Sequence, residues 1–202
     1  MLLHVALPEP AELVVRNGEK FSDKAYLKFW EANPDLNFER NAEGEIIIVP
    51  PAGLESDYRN TDVVAQLATW AKKDGRGRAA GPTAQFFLPD GSALSPDAAW
   101  VSNESRSRMS EHERKTFPYL CPEFVIEVRS PSDRLKKAQA KMERWIANGA
   151  QLAWLIDGDA KTVYIYQKSR PVEIRKDILK LAGKGPVKGF TLRLQTIWDG
   201  LN

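Results

Sequence analysis

The chain has 202 residues, 43% apolar and 28% charged, with a formal net charge of +2. That size suits one domain with a core of its own, and so small a net charge neither requires nor forbids a nucleic-acid partner, because local charge decides. A single cysteine, Cys121, excludes an internal disulfide and favours a reducing, cytoplasmic setting; "MLLHVALPEP" lacks the basic start and long apolar stretch of a signal peptide, and no apolar run approaches the ~18 residues of a membrane span.

Residues 1–20 read as a flexible or extended N-terminal segment. "SDKAYLKFWEANP" (22–34) predicts a helix, with Ser22 as its cap and Pro34 beyond its end. "LNFER-NAEG-EIIIVPP" predicts a hairpin. Val63, Val64, Leu67, Ala68 and Trp70 or Ala71 recur at helical spacing, so 55–73 is expected to be a longer helix. "GRGRAAG" (75–81) has the wrong spacing for a nucleotide loop and follows a helix rather than a strand, so it reads as a connector. "TAQFFL-PDGS-ALSPDAAWVS" (83–102) predicts a second hairpin with Pro-Asp-Gly at its tip.

The charged segment 103–119 is expected to be mobile, a candidate lid or dimer arm. A strand over 123–129 follows, then a helix over roughly 133–147, with Ser132 as cap and Gly149 as stop. "LAWLID" and "TVYIYQ" form a strand pair, and "GFTLRLQTIW" a last strand and a helical turn. The strand–helix–strand step from 123 to 156 implies a crossover and a partly parallel sheet. The whole reads as one mixed α/β domain over 1–202.

Within "CPEFVIEVRSPSD" (121–133), alternation puts Phe124, Ile126 and Val128 on one face and Val125, Glu127 and Arg129 on the other. An acid and a base then stand ~7 Å apart along one strand. An ionised carboxylate in a sheet centre costs several kcal/mol unless paired or metal-bound; a structural Glu127–Arg129 ion pair explains the pattern equally well. Asp97, after Pro96, opens a neighbouring strand. Two such carboxylates can hold a hard cation such as Mg²⁺, though Pro-Asp is also an ordinary strand start. Lys141 falls about 90° from the centre of the following helix's apolar face, where a long side chain can reach a site; Arg134 shares that azimuth, and rim charges on a surface helix fit too. Residues 129–144 carry six bases and two acids, and "KKDGRGR" (72–78) four bases and one acid; these patches suit phosphates or plain solvation. His4 and His112 lie far apart, which argues against a zinc site; a Ser-His-Asp triad would rest on His112 in a charged run, where a solvated helix fits better. There is no G-x-x-x-x-G-K-[ST] loop. The six tryptophans fall in apolar patterns and read as core.

The order Pro96-Asp97, then Glu127-Val128-Arg129, then Lys141 resembles the PD-(D/E)xK nuclease superfamily. More narrowly, "SPDAAWVS", "CPEFVIEVRSPSDRL", "KMERWIANGAQLAWLID", "TVYIY" and "GFTL" resemble the Uma-two family of restriction-endonuclease-like proteins, from about residue 20 to the end. The resemblance implies a restriction-endonuclease-like core, a mixed central sheet flanked by helices, with an N-terminal helix and hairpin extension. It implies Mg²⁺ or Mn²⁺ on Asp97, Glu127 and the Val128 carbonyl, and no organic cofactor. It implies DNA as partner and a homodimer for double-strand cleavage. The superfamily's usual lysine position holds Arg129 here; Uma-like sequences supply the lysine from the next helix, which gives Lys141. Glu55 matches the place of a further acid, although a helix-terminal charge explains it too. The leading expectation is a metal-dependent DNA endonuclease. An inactive nucleic-acid-binding or regulatory module, and a structural or toxin-partner-like protein, are the alternatives.

Overall fold

The computed structural model describes residues 13–16, 20–131 and 133–201. Its centre is a six-stranded mixed sheet. In sheet order this runs β11 (Glu173–Lys176), β10 (Thr162–Gln167), β9 (Leu152–Asp157), β8 (Phe124–Arg129), β7 (Ala98–Ser102) and β4 (Gly77–Ala80). Only β8 and β9 run parallel, joined by the crossover helix α5 (Leu135–Ala147). Such strands are buried on both faces and read as near-continuous apolar runs, as "LAWLID" does. Helix α2 (Leu54–Asp74) covers one face through Val63, Leu67 and Ala71. The ribbon β12 (Lys180–Ala182) and β13 (Thr191–Arg193) and helix α6 (Gln195–Asp199) share that layer through Leu181, Leu192, Ile197 and Trp198. Helix α5 covers the other face with Met142 and Trp145.

A second, antiparallel sheet is ordered β1 (Leu13–Val15), β3 (Ile46–Ile48), β2 (Phe38–Arg40), β6 (Ala93–Leu94), β5 (Phe86–Phe87). Helix α1 (Asp23–Ala32), capped by Ser22, packs on it through Tyr26, against Phe38, Ile46, Phe87 and Ala93. This is the expected N-terminal helix and hairpin, enlarged by β1 and by β5–β6. The rest of the N-terminal segment, 1–12 and 17–19, lies outside the described residues.

The expected elements need four corrections. The hairpin over 83–102 is only β5–β6; past Pro96 the chain leaves the second sheet and becomes β7 of the first. Proline cannot donate to a ladder, so a continuous apolar run changes sheet there. "GRGRAAG" is not a connector but holds edge strand β4. Gly75 ends α2 in the left-handed conformation (φ +74°), and a Cβ on Gly77 would come within 2.5 Å of the Trp100 ring. The segment 103–119 forms two short helices, α3 (Asn103–Ser107) and α4 (Glu111–Lys115), N-capped by Ser102 and Ser110. Helix α5 starts at Leu135 rather than 133; its expected cap, Ser132, lies outside the described residues. Among the described residues no helix is long and apolar enough to cross a membrane.

Candidate active site

Strand alternation in β8 sends Phe124, Ile126 and Val128 toward α2 and Val125 toward α5. Glu127 follows Val125, and both of its carboxylate oxygens meet α5. Trp145 Nε1 donates to Oε1 at 2.9 Å. Lys141 Nζ lies 3.1 Å from Oε1 and 3.2 Å from Oε2. Lys141 and Trp145 are one helical turn apart and so project side by side. The β7–β8 ladder sets Ala98 opposite Ile126, which brings the preceding residue, Asp97, level with Glu127. Asp97 Oδ2 accepts the Val128 N–H at 2.7 Å, and Oδ1 accepts from Asn60 Nδ2 of α2 at 3.1 Å. Lys141 also donates to Glu39 Oε1 of β2 at 2.9 Å and to the Ser95 carbonyl at 2.8 Å.

Two carboxylates, Glu127 and Glu39, therefore bond one half-buried ammonium, and Asp97 acts on it by charge. Burial pushes the Glu127 carboxyl up to about 8 against the pull of Lys141, and negative Asp97 and Glu39 push the same way. Burial likewise raises Asp97, to about 6, against its bond from Val128 and the charge of Lys141. Burial works against the Lys141 charge too, yet Glu127, Glu39 and Asp97 outweigh it and hold the ammonium above its ordinary value. The cluster is short of positive charge.

That shortage, met by oxygen donors alone, suits a hard cation. Asn60 Oδ1, beside Asp97, is buried and has no hydrogen-bond partner among the described residues. Those residues contain no group of three or more His, Cys, Asp or Glu side chains placed to hold an ion. Asp97 and Glu127 offer two carboxylates from adjacent strands. Such a pair suits Mg²⁺, which is commonly held by one or two carboxylates and keeps waters.

Of the residues singled out from the sequence, Asp97, Glu127, Val128 and Lys141 come together. Arg129 does not join them. Its Nη1 donates to Asp157 Oδ2 of β9 at 2.7 Å and its Nε to the Asp133 carbonyl at 3.1 Å, so Glu127 finds its cation in Lys141 instead. Glu55 lies apart, bonded to Arg59 Nη2 at 2.6 Å, while Arg59 Nη1 holds Asp159 at 2.9 Å. Glu39, Asn60 and Ser95 are the residues that sequence reasoning missed. Glu39 sits between two buried residues of a strand, Phe38 and Arg40, and that alternation reads as an outward charge. Asn60 is one polar residue among many on α2.

The family model described as "Uma2: Putative restriction endonuclease" matches residues 23–195. The chain belongs to the Uma2 family. No curated protein sequence matches it. Among solved structures it is similar to a putative nuclease belonging to DUF820 from Anabaena variabilis ATCC 29413. The TM-score is 0.72 at 22% identity, over 89% of this chain and 98% of that one; at that identity the likeness shows the fold. Within this Uma2 chain, the mixed central sheet flanked by helices is the expected restriction-endonuclease-like arrangement.

Proposed function

We propose that this Uma2 protein is a metal-dependent endonuclease that hydrolyses phosphodiester bonds of DNA through Asp97, Glu127 and Lys141. The observation that carries the reading is the meeting of buried Glu127 with half-buried Asp97 and Lys141, from β8, the start of β7 and α5. Family membership and the name of the Anabaena neighbour support it. Asp97, Glu127 and the Val128 carbonyl would hold Mg²⁺ or Mn²⁺. Bound there, such an ion polarises a phosphoryl oxygen and lowers the pKa of a bound water.

The protein's own residues do the rest. Val128 N–H and Asn60 Nδ2 hold Asp97 by both oxygens, and Trp145 holds Glu127 by one. Carboxylates fixed in this way need no rearrangement at the moment of reaction, which is where preorganised sites gain most of their rate. Lys141 places a positive charge beside the scissile phosphate as negative charge builds on it. Glu55 and Arg129 act on the scaffold and not on the phosphate. Double-strand cleavage takes two copies, one for each strand, so a cytoplasmic homodimer belongs to the same reading.

The test is a supercoiled plasmid with Mg²⁺ or Mn²⁺, beside Asp97→Ala, Glu127→Ala and Lys141→Ala. The wild type should nick, chelation should stop it, and each variant should lose about 100-fold or more. Calorimetry should show Mn²⁺ uptake that D97A and E127A abolish. Equal nicking by all four proteins overturns the site; binding without any cutting favours a module without turnover.

A further inference from the structure

We infer that Glu39 is a positioning residue of this site, anchoring Lys141 from the second sheet. The inference deepens the proposed function, because it rests on Lys141 being the catalytic lysine. A lysine ammonium has three N–H donors and no acceptor. At Lys141 all three are matched: Glu39 Oε1 at 2.9 Å, the Ser95 carbonyl at 2.8 Å and the Glu127 carboxylate at 3.1 Å. The three acceptors come from β2, from the link between β6 and β7, and from β8.

They are not equivalent anchors. Glu127 already accepts from Trp145 and is the carboxylate that the proposed function offers to a cation. Whenever Glu127 is drawn elsewhere, Lys141 keeps its place only through Glu39 and Ser95. Glu39 suits that task, because its Oε1 also accepts the Ser95 N–H at 2.9 Å. Glu39, Ser95 and Lys141 therefore close a ring of hydrogen bonds around one oxygen. The Glu39 side chain is 16% exposed, enough shelter for the pair to keep much of its strength. Ser95 lies two residues before Asp97, so the lysine anchor and the acid share one short stretch of chain. The second sheet is then part of the active site and not an appendage to it.

The experiment compares wild type, Glu39→Ala and Glu39→Gln. Gln keeps an acceptor for Lys141 and loses the charge. Glu39→Ala should lower kcat about 100-fold, the scale of one lost electrostatic group, with KM for DNA within about twofold, and Glu39→Gln should fall between. Mn²⁺ uptake by calorimetry should persist, unlike in D97A, because Asp97 and Glu127 remain. In the metal-free protein, Lys141 should acetylate with acetic anhydride at least about tenfold faster in Glu39→Ala, as one 1.4 kcal/mol anchor implies, and faster than wild type by a smaller factor in Glu39→Gln, read by mass spectrometry. Unchanged kcat, an unchanged acetylation rate, or loss of Mn²⁺ uptake as complete as in D97A each overturns the inference. If Glu39→Ala does not fold, Glu39→Gln carries both readouts. If the wild type never cuts DNA, the nuclease reading falls, and metal-free acetylation still decides whether Glu39 anchors Lys141.

Discussion

Asp97 and Glu127 hold protons more tightly in the folded protein than in the unfolded chain, whose carboxyls titrate near 4. Their folded values are about 6 and about 8. Between those limits the unfolded state binds fewer protons, so stability from this source is fully present near pH 4 and is lost as pH rises through 8. The metal-free protein should therefore melt lower at pH 8 than at pH 5.5, and Glu127→Gln should flatten that slope. Excess Mn²⁺ should raise Tm more at pH 8, where fewer protons compete for the same oxygens; equal rises at both pH values would mean that the ion binds elsewhere. Arg129 makes the contrasting case. Its partner Asp157 is buried, so Arg129→Ala should cost about 2 kcal/mol in urea unfolding and leave Mn²⁺ uptake unchanged. Glu127 and Asp97 were legible because acids are out of place in apolar strands. Lys141 was legible through family resemblance alone, since its helical azimuth is shared by Arg134. Glu39 was hidden because an acid in a short polar hairpin is ordinary until another sheet is packed against it.

At the scale of elements, α5 does two jobs along one ridge. Trp145 fills the core against Phe86, with ring centroids 6.5 Å apart, and also holds Glu127. Reading the tryptophans as core was right for this ring and left out its N–H. Trp145→Phe keeps the packing and removes the donor, so it should cost about 1–3 kcal/mol and raise the Glu127 pKa further, since that bond lowers it. Because the proposed metal needs Glu127 ionised, the rise of activity with pH should move to higher pH; an unmoved or lowered rise would not fit. Strand β4 tests the opposite case, a place that tolerates no side chain. Gly77→Ala drives a methyl into the Trp100 ring and the Val101 carbonyl, each 2.5 Å away, and should cost about 1–3 kcal/mol in the same unfolding assay. Long apolar strands and capped helices announced themselves in the sequence. Strand β4 did not, because two glycines within three residues imitate a loop, and β11 did not, because "EIRK" at a sheet edge has no apolar alternation.

Over the whole molecule, the site draws on residues from 39 to 141, and the bond from Lys141 to Glu39 spans 102 positions. Contacts so distant in sequence close late, after the chain entropy of the intervening loop has been overcome. Recovery of nicking during refolding should therefore lag the signals of secondary structure. Synthesis from the N-terminus imposes the same order. A chain still on the ribosome exposes Glu39, Asp97 and then Glu127 as acids without their lysine, and the cluster is incomplete until α5 has emerged and docked. The separation along the chain works as a delay, and the proposed nuclease site stays unarmed for as long as the protein is being made.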